Sequence, residues 1–244
     1  MNLQKLYSYI RRAVSDYHMI EAGDKIALGI SGGKDSLALL YALHGLKAFY
    51  PQPFSIHAIT IDLGFDNMNF DAVKKLCAKL EVPYTIIDTQ IYEILKYHDT
   101  GKPYCSLCAR LRRGTLKDAL SELGCNKLAY GHHKDDVIET ALLSLLYGGR
   151  FSCFLPVTKQ DTFTVIRPMI YVPEGMLKGV AQQYKLPVVF NPCPYDNHSR
   201  RSDIKEMVRS LSKTNKYYKN NIFHAITLTE EWQHCARFSS GPSA

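Results

Sequence analysis

A glycine-rich loop near the N-terminus combines the residue types that bind phosphate groups. It follows a short apolar run, precedes a helical pattern, and reads Ser31-Gly32-Gly33-Lys34-Asp35-Ser36. Adjacent glycines let the backbone turn tightly and direct N–H groups toward an anion, and a helix N-terminus adds partial positive charge. Lys34 contributes a full charge. The spacing fits neither a Walker A loop nor a dinucleotide-binding loop. The loop therefore predicts a phosphate site of another kind, although an ordinary capped glycine turn has a similar composition.

A second polar motif follows the fourth predicted strand. It reads Gly131-His132-His133-Lys134-Asp135-Asp136-Val137-Ile138-Glu139-Thr140. Open α/β sheets place their ligands at the carboxyl ends of parallel strands, where this motif begins. The adjacent carboxylates of Asp135 and Asp136 suit a hard cation such as Mg²⁺ that bridges phosphates. The same carboxylates also suit the N-terminus of a helix, so helix capping is the alternative interpretation.

Three of the seven cysteines occupy positions that suggest a soft-metal site. Cys105 and Cys108 form a C-x-x-C pair at the start of a predicted helix, and nearby arginines favour their thiolate forms. Cys193 lies in a loop that the prolines on either side restrict. Alone, the pair also fits half of a zinc site or a redox pair. Three thiolates would leave one coordination position open, for water or substrate on zinc or for sulfide on an iron–sulfur cluster.

The motifs also occur in an informative order. The stretch C-S-L-C-A-R-L-R-R-G begins at Cys105, the second polar motif follows it, and I-R-P-M-I-Y-V-P-E begins at Ile166. With the phosphate loop, they resemble the tRNA 2-thiocytidine synthetase family of the PP-loop ATP pyrophosphatase superfamily, from about Lys25 to Val208. The resemblance implies an ATP-dependent tRNA sulfurtransferase with ATP, Mg²⁺ and a [4Fe–4S] cluster as cofactors. Such an enzyme adenylates the C2 carbonyl oxygen of an anticodon-loop cytidine and then replaces that oxygen with sulfur.

Matching residue by residue, the resemblance implies roles for individual side chains. The cluster ligands would be Cys105, Cys108 and Cys193, which would be catalytic together with Asp35. The family often has a P-C-x-x-C pair where this chain reads N-P-C-P-Y-D, so only one cysteine of that pair is matched, by Cys193. Asp135 and Asp136 would hold magnesium. The implied ATP-binding residues are Ser31, Gly32, Gly33, Lys34, Asp35, Ser36, Asp62, Gly131, His132, Asp135 and Asp136.

Positive charge is concentrated beside the cysteines. The chain has 30 basic and 23 acidic side chains, a net charge of +7, and the stretches 102–117 and 200–220 are its most basic parts. Basic side chains supply phosphate contacts, and aromatic side chains such as Tyr217 and Tyr218 stack on splayed loop bases. A solvated basic helix is the alternative for either stretch alone. The predicted RNA-binding residues are Arg110, Arg112, Arg113, Arg200 and Arg201.

The resemblance also implies partners and leaves other activities open. The partners are a tRNA, a sulfur donor (a cysteine desulfurase or sulfide) and a second copy of the chain in a homodimer. A tRNA-lysidine-type ligase would leave the three cysteines without a role. A 2-thiouridine synthase usually carries additional paired-cysteine zinc ribbons, which this sequence lacks. Outside enzymes, the alternative is a metal-stabilised RNA-binding protein, against which the intact Lys34 and Asp35 argue.

The elements that must position these residues alternate along the chain. Short apolar runs at 25–30, 55–61, 84–87, 127–130 and 163–168 predict strands, with helical patterns between them. This alternation predicts an α/β fold, a doubly wound and mostly parallel sheet with helices on both faces. We expect an N-terminal helix (1–22), an ATP-binding domain (23–190), a basic C-terminal helical segment (191–238) and a disordered tail (239–244). Residues 200–220 are predicted to be a basic, polar helical segment.

Two further patterns bear on location. Apolar runs stay below the roughly 18 residues that a membrane-spanning helix needs. The first twenty residues read as an amphipathic helix without the continuous apolar region of a signal peptide. We therefore expect a cytoplasmic protein without membrane contact.

Overall fold

One sheet forms the centre of the fold. The computed structural model describes residues 3–97, 104–195 and 200–237. Within them the strand order is β3-β2-β1-β4-β6-β5, and every neighbouring pair is parallel except β5 and β6. The predicted α/β fold with a mostly parallel sheet is confirmed. The strands are β1 (Lys25–Gly29), β2 (Ser55–Asp62), β3 (Tyr84–Asp88), β4 (Lys127–Ala129), β5 (Val157–Lys159) and β6 (Thr164–Ile166).

Helices connect these strands, cover both faces of the sheet and complete the C-terminal region. They are α1 (Leu3–Asp16), α2 (Lys34–Leu46), α3 (Asp71–Lys79), α4 (Ile91–Tyr97), α5 (Cys105–Glu122), α6 (Lys134–Gly148), α7 (Glu174–Gln183), α8 (Arg200–Thr214), α9 (Tyr218–Thr227) and α10 (Glu230–Arg237).

The sheet reverses its strand order between β1 and β4. From β1 the chain continues outward through β2 and β3, whereas β4, β6 and β5 lie on the other side of β1. Open α/β sheets bind ligands in the crevice beyond the carboxyl ends of the strands at such a point. The phosphate loop follows β1 and the second polar motif follows β4. The topology therefore brings the two motifs to one crevice.

The central strands are buried on both faces. In β2, Ala58 belongs to the larger apolar cluster and the adjacent Ile59 belongs to the smaller one. The larger cluster is formed mainly with α1, α2, α7 and the C-terminal helices, and the smaller one with α4 and α5. Successive residues of a strand point to opposite faces, which explains why these strands are almost continuously apolar.

The C-terminal basic segment is helical with one break. Within residues 200–220, α8 ends at Thr214 and α9 begins at Tyr218. The Asn215 side-chain oxygen accepts a hydrogen bond from the Tyr217 N–H at 2.9 Å. Such a local side-chain bond competes with helix continuation and gives the physical reason for the break. The sequence pattern also fails to predict α4 and β5, which are short elements with little periodic signal.

The C-terminal helices share a core with the N-terminal helix. Trp232 of α10 is 1% exposed and lies in one apolar cluster with Leu6 and Ile10 of α1 and with Phe223 of α9. The division of the chain at residues 22 and 190 stays a prediction. The predicted tail at 239–244 lies outside the described residues. Within the part that the structure describes, every helix is too short or too polar to cross a membrane.

Candidate active site

The phosphate loop is held in its turn by its own backbone and hydroxyl groups. Gly32 has a φ of +81°, which residues with a side chain rarely adopt, and a Cβ there would lie 2.8 Å from the Cβ of Val189. The Gly33 N–H donates to the Ser31 hydroxyl at 3.3 Å, and the Ser36 hydroxyl donates to the Gly33 carbonyl at 2.9 Å. Gly33 immediately precedes α2. The loop thus presents a helix N-terminus at the carboxyl end of β1, as an anion site requires.

Gly131 lets the second polar motif approach the phosphate loop closely. A Cβ at this position would lie 3.0 Å from the carbonyl carbon and oxygen of Asp35 and 3.1 Å from the backbone nitrogen of Ser36. These are backbone atoms, which move only if the phosphate loop itself moves. Gly131 is therefore required by the contact between the two motifs.

We expect Gly131→Ala to weaken ATP binding by about tenfold, because it displaces the phosphate loop from the position in which it binds its ligand. Equilibrium dialysis with ATP measures the change. Gly114→Ala on α5 is the matched control: a Cβ there meets nothing within 4 Å, and alanine stabilises a helix by about 1 kcal/mol relative to glycine. Equal dissociation constants for the wild type and Gly131→Ala would show that the close approach is irrelevant to ATP.

A cavity of about 620 Å³ lies between the two motifs and α5. Ser31, Asp35 and Ser36 of the phosphate loop and Arg112 and Arg113 of α5 lie in its wall, whereas Gly32, Gly33 and Lys34 are not among the described lining residues. This combination suits a nucleotide with its phosphates. The polar and charged residues that line the cavity include Ser31, Asp35, Ser36, Arg112, Arg113, Tyr130, His132, Asp136, Thr158, Gln160 and Arg167.

His132 is a neutral side chain in this wall. Burial and the neighbouring Arg167 guanidinium lower its pKa to about 4. Its Nδ1 accepts a hydrogen bond from the Arg167 Nε at 3.2 Å, and its ring stacks on Phe154 with centroids 4.6 Å apart. The Arg167 side chain also donates to the Leu155 carbonyl at 2.6 Å. Burial lowers the Arg167 pKa to about 10, so it remains charged at neutral pH. The sequence analysis missed Arg167 as a site residue, although it lies in the I-R-P motif.

Two carboxylates in the cavity fit a magnesium ion. The Oδ1 atom of Asp35 is buried without a hydrogen-bond partner among the described residues, and it lies 3.8 Å from His133 Nε2. Asp136 forms a capping box, because its Oδ2 accepts from the His133 N–H at 3.0 Å and its own N–H donates to His133 Nδ1 at 3.4 Å. A buried carboxylate oxygen without a partner calls for an explanation, and carboxylate oxygens are the ligands that Mg²⁺ prefers. Asp35 and Asp136 are therefore a suitable donor pair.

Asp135 has a different set of partners and is not among the described residues that line the cavity. Its Oδ2 accepts a hydrogen bond from the Glu174 N–H at 2.8 Å, and its Oδ1 pairs with the Lys219 ammonium. Asp135 is 4% exposed. These contacts join α6 to α7 and α9 and indicate a structural role. Its predicted roles in ATP and magnesium binding stay predictions.

Asp62 ends β2 at the same edge of the sheet as the phosphate loop. Its Oδ1 accepts a hydrogen bond from the Gly64 N–H at 2.9 Å, which fixes the turn after the strand. Ile59 and Ile61 of the same strand line the cavity, whereas Asp62 is not among the described lining residues. Its predicted role in ATP binding stays a prediction.

Cys105 and Cys108 lie in the first turn of α5, and the loop that carries Cys193 reaches the same region. Cys105 is exposed, whereas Cys108 and Cys193 are half-buried. Burial raises the pKa of Cys108, the Arg112 guanidinium lowers it, and the Cys193 and Cys105 thiols raise it further. The loop that carries Cys193 thus lies close to the C-x-x-C pair, as the prediction requires.

Two tyrosines join the cysteine-bearing segments. The rings of Tyr104 and Tyr195 meet edge to face with centroids 4.8 Å apart. In the described ranges, no three His, Cys, Asp or Glu side chains are close enough to hold a metal ion as they stand. Three thiols remain a soft donor set that suits iron–sulfur chemistry, and binding would draw them together. Their role as cluster ligands stays a prediction.

The arginines of α5 lie beside the cavity. Arg112 and Arg113 line it, and Arg110 is exposed on the same helix. Cys108 and Arg112 are four residues apart in α5, and such residues share one helix face about 6 Å apart along the axis. One helix therefore connects the thiols with the nucleotide cavity.

The predicted arginines of α8 contact the second polar motif and its helix. Arg201 donates to the Thr140 hydroxyl at 3.1 Å and lies 3.9 Å from the Asp136 carboxylate. The Arg200 guanidinium lies over the Tyr147 ring, 5.0 Å from its centroid. Both basic regions thus border the crevice, although RNA binding by all five arginines stays a prediction.

Comparison with known families defines the class of this protein. The PP-loop domain family ATP_bind_3 matches residues 4–211, in agreement with the glycine-rich loop at the switch point. The chain is thus a PP-loop protein. More narrowly, it belongs to the tRNA-cytidine(32) 2-sulfurtransferase family, as its motifs predict. The relative of that name from Geobacter sulfurreducens is 36% identical over 228 residues, which cover 91% of this chain and 89% of the relative. The relative from Alkalilimnicola ehrlichii is 38% identical over 231 residues, which cover 92% and 73%.

Solved structures show the same fold at lower identity. The U34-tRNA thiolase NcsA from Methanococcus maripaludis, solved with its [4Fe-4S] cluster, aligns with a TM-score of 0.71 and 24% identity over 95% of this chain and 78% of that chain. The NH3-dependent NAD synthetase from Campylobacter jejuni aligns with a TM-score of 0.51 and 18% identity over 98% and 93%. Both likenesses concern the fold alone.

Proposed function

We propose that this protein is an ATP-dependent tRNA sulfurtransferase that converts an anticodon-loop cytidine to 2-thiocytidine, the activity that its curated relatives are named for. The observation that carries the proposal is the placement of α5. Its first turn bears Cys105 and Cys108, and its next turns bear the arginines that line the nucleotide cavity. Activation by ATP and delivery of sulfur need such adjacent sites, because both reactions occur around the same carbon atom.

In the first proposed step, the phosphate loop and Lys34 bind the β- and γ-phosphates of ATP. The C2 carbonyl oxygen of cytidine bonds to the α-phosphorus, the bond to the departing oxygen breaks, and pyrophosphate leaves. Arg112 and Arg167 lie in the cavity wall and stabilise the charge that develops on the phosphates. Asp35 and Asp136 would hold magnesium, which neutralises phosphate charge when bound.

In the second proposed step, sulfur bonds to C2, the bond between C2 and the adenylated oxygen breaks, and AMP leaves. Cys105, Cys108 and Cys193 would hold the [4Fe–4S] cluster. These three ligands would leave one iron without a cysteine, and the cluster would supply a site for exogenous sulfide there.

The partners follow from the same arrangement. We propose that a tRNA anticodon loop binds to the basic residues of α5 and α8, with its target base splayed out into the crevice. The sulfur comes from a cysteine desulfurase or from sulfide. We also propose that the protein forms a homodimer and is located in the cytoplasm, because the family resemblance supports both.

A direct assay tests the proposed function. The protein, purified and reconstituted with iron and sulfide without oxygen, is incubated with tRNA, Mg-ATP and sulfide, and the tRNA is digested for nucleoside mass spectrometry. We expect 2-thiocytidine that depends on both ATP and sulfide. Formation of lysidine in the presence of lysine, or of 2-thiouridine, would replace the proposal with one of the other superfamily activities. Binding of tRNA without any ATP turnover would reduce the protein to an RNA-binding role.

The arginines of α5 give a prediction of their own. We expect the double variant Arg112→Gln, Arg113→Gln to bind tRNA at least tenfold more weakly at about 0.1 M salt, and its binding to depend less steeply on salt, by about two units of slope. Filter binding over a salt series measures both quantities. The control is Lys74→Gln, Lys75→Gln, which removes the same charge from the exposed side of α3. An equal loss of tRNA affinity in both double variants would mean that the RNA is attracted by net charge and not by the arginines of α5.

A further inference from the structure

A continuous series of polar contacts connects helix α9 with the phosphate loop. The Lys219 ammonium pairs with one carboxylate oxygen of Asp135, and the other oxygen accepts the Glu174 N–H at 2.8 Å. The Glu174 side chain then reaches Lys34, with 3.1 Å between Oε1 and Nζ. Lys34 Nζ also lies 2.9 Å from the Asp35 carboxylate. The predicted phosphate-binding lysine is therefore held by groups from two different elements.

The geometry at Lys34 leaves one donor for a ligand. A lysine ammonium has three N–H donors, and its four-carbon stem has high rotamer entropy. Asp35 and Glu174 each accept one donor, so the third has its direction fixed before a ligand arrives. Fixing a flexible side chain in advance reduces the entropy that binding must overcome. The two carboxylates thus orient the ammonium.

Glu174 is itself held in place from both sides. It is the first residue of α7, and its backbone N–H is fixed by the buried Asp135 carboxylate. Its second carboxylate oxygen pairs with Lys178 at 3.1 Å, one turn further along the helix. Burial alone would raise the pKa of Glu174, but hydrogen bonds from Lys178 and Lys34 lower it to about 2. Glu174 is therefore a fixed anionic acceptor at neutral pH.

We propose that Glu174 is a positioning residue that orients the Lys34 ammonium toward the phosphates of ATP. This inference rests on the proposed ATP-binding function of the phosphate loop. Glu174 lies in the I-R-P-M-I-Y-V-P-E motif, and local sequence assigns it nothing beyond the N-terminal turn of a helix. The ion pair between Glu174 of α7 and Lys34 of α2 gives Glu174 a role in the nucleotide site.

Two substitutions separate orientation from charge. Glu174→Ala removes the acceptor, and we expect the dissociation constant for Mg-ATP to rise about tenfold. Glu174→Gln keeps an oxygen acceptor but loses the charge, and we expect binding within threefold of the wild type. Equilibrium dialysis without RNA measures both, and it does not require a loaded cluster. If Glu174 instead competed with phosphate for Lys34, both variants would bind ATP more tightly, which would overturn the inference.

A double-mutant cycle excludes a merely structural role. In a Lys34→Met background, Glu174→Ala should change ATP affinity by less than twofold, because the residue through which it acts is gone. A general loss of folding would instead act equally in both backgrounds, and that result would also overturn the inference. Lys178→Met removes one group that holds Glu174 but leaves the contact between Glu174 and Lys34, so it is expected to weaken ATP binding less than Glu174→Ala does. A wild-type protein that fails to bind ATP would refute the proposed function rather than this role of Glu174.

Discussion

Replacing Cys193 with alanine is expected to abolish tRNA thiolation. The side chain is half-buried in the loop after α7, and its thiol lies near Cys108 at the start of α5. If the three thiols hold a cluster, removal of one takes away a ligand that the remaining two cannot replace. We expect 2-thiocytidine to fall below detection, and iron and acid-labile sulfide to drop from about four of each per chain to near zero. Cys105→Ala and Cys108→Ala should behave in the same way.

Cys153→Ala is the control for this prediction. Cys153 is also half-buried, but its sulfur accepts a hydrogen bond from the Trp232 indole at 3.3 Å, in the apolar cluster beneath the C-terminal helices. Its loss should leave the iron content unchanged. Thermal unfolding shows whether each variant is folded. Normal thiolation by a folded Cys193→Ala variant would remove Cys193 from the site, and zinc without sulfide in the wild type would replace the cluster by a zinc site.

The nucleotide side of the site could be predicted because its signals are local. Gly32 is required by the turn of the phosphate loop, and Gly131 is required by the close approach of the second polar motif to that loop. Each of the two motifs directly follows a strand. The alternation of strands and helices places both loops at the carboxyl edge of one sheet. Loop sequence and strand order together are therefore enough to bring the phosphate loop to the second polar motif.

The different surroundings of Asp135 and Asp136 could not be predicted in this way. Successive residues of a helix point about 100° apart, so adjacent carboxylates at a helix start face different surroundings. Which one faces the cavity depends on the packing of other elements. Here the Asp135 carboxylate pairs with Lys219 of α9 and accepts a hydrogen bond from the Glu174 N–H of α7. Asp136 instead lies in the cavity wall. Neither partner can be located from the motif itself.

The break within the C-terminal basic segment and the edge strand β5 were missed for related reasons. Charge and polarity are similar on both sides of Asn215, and the bond from its side chain to the Tyr217 N–H competes with the helix there. Strand β5 has three residues and, among the described strands, pairs with β6 alone, so it shows no alternation of polar and apolar residues. Short elements that depend on one contact leave little trace in composition.

Replacing Lys34 with alanine is expected to slow ATP-dependent activation of the tRNA by about 100-fold to 1000-fold. The ammonium carries the full positive charge of the phosphate loop, and its position is fixed by Asp35 and Glu174. Removal of one preorganised group that stabilises transition-state charge typically slows a reaction by about 100-fold to 1000-fold. We expect a decrease of that size in the rate of pyrophosphate release, measured with tRNA and Mg-ATP. Thiolation should fall in parallel, because sulfur transfer needs the adenylated oxygen as its leaving group.

Lys47→Ala is the matched control for Lys34, since it removes the same charge at the opposite end of the same helix. Lys47 is the C-cap of α2, about 20 Å from Lys34 along the helix axis. Loss of net charge alone would slow both variants equally, whereas a specific role slows only Lys34→Ala. Iron content separates the two halves of the site further, because Lys34→Ala should retain its cluster and Cys193→Ala should not. If Lys34→Ala released pyrophosphate at the normal rate, the loop would not be the phosphate site, and the proposed ATP-dependent mechanism would be refuted.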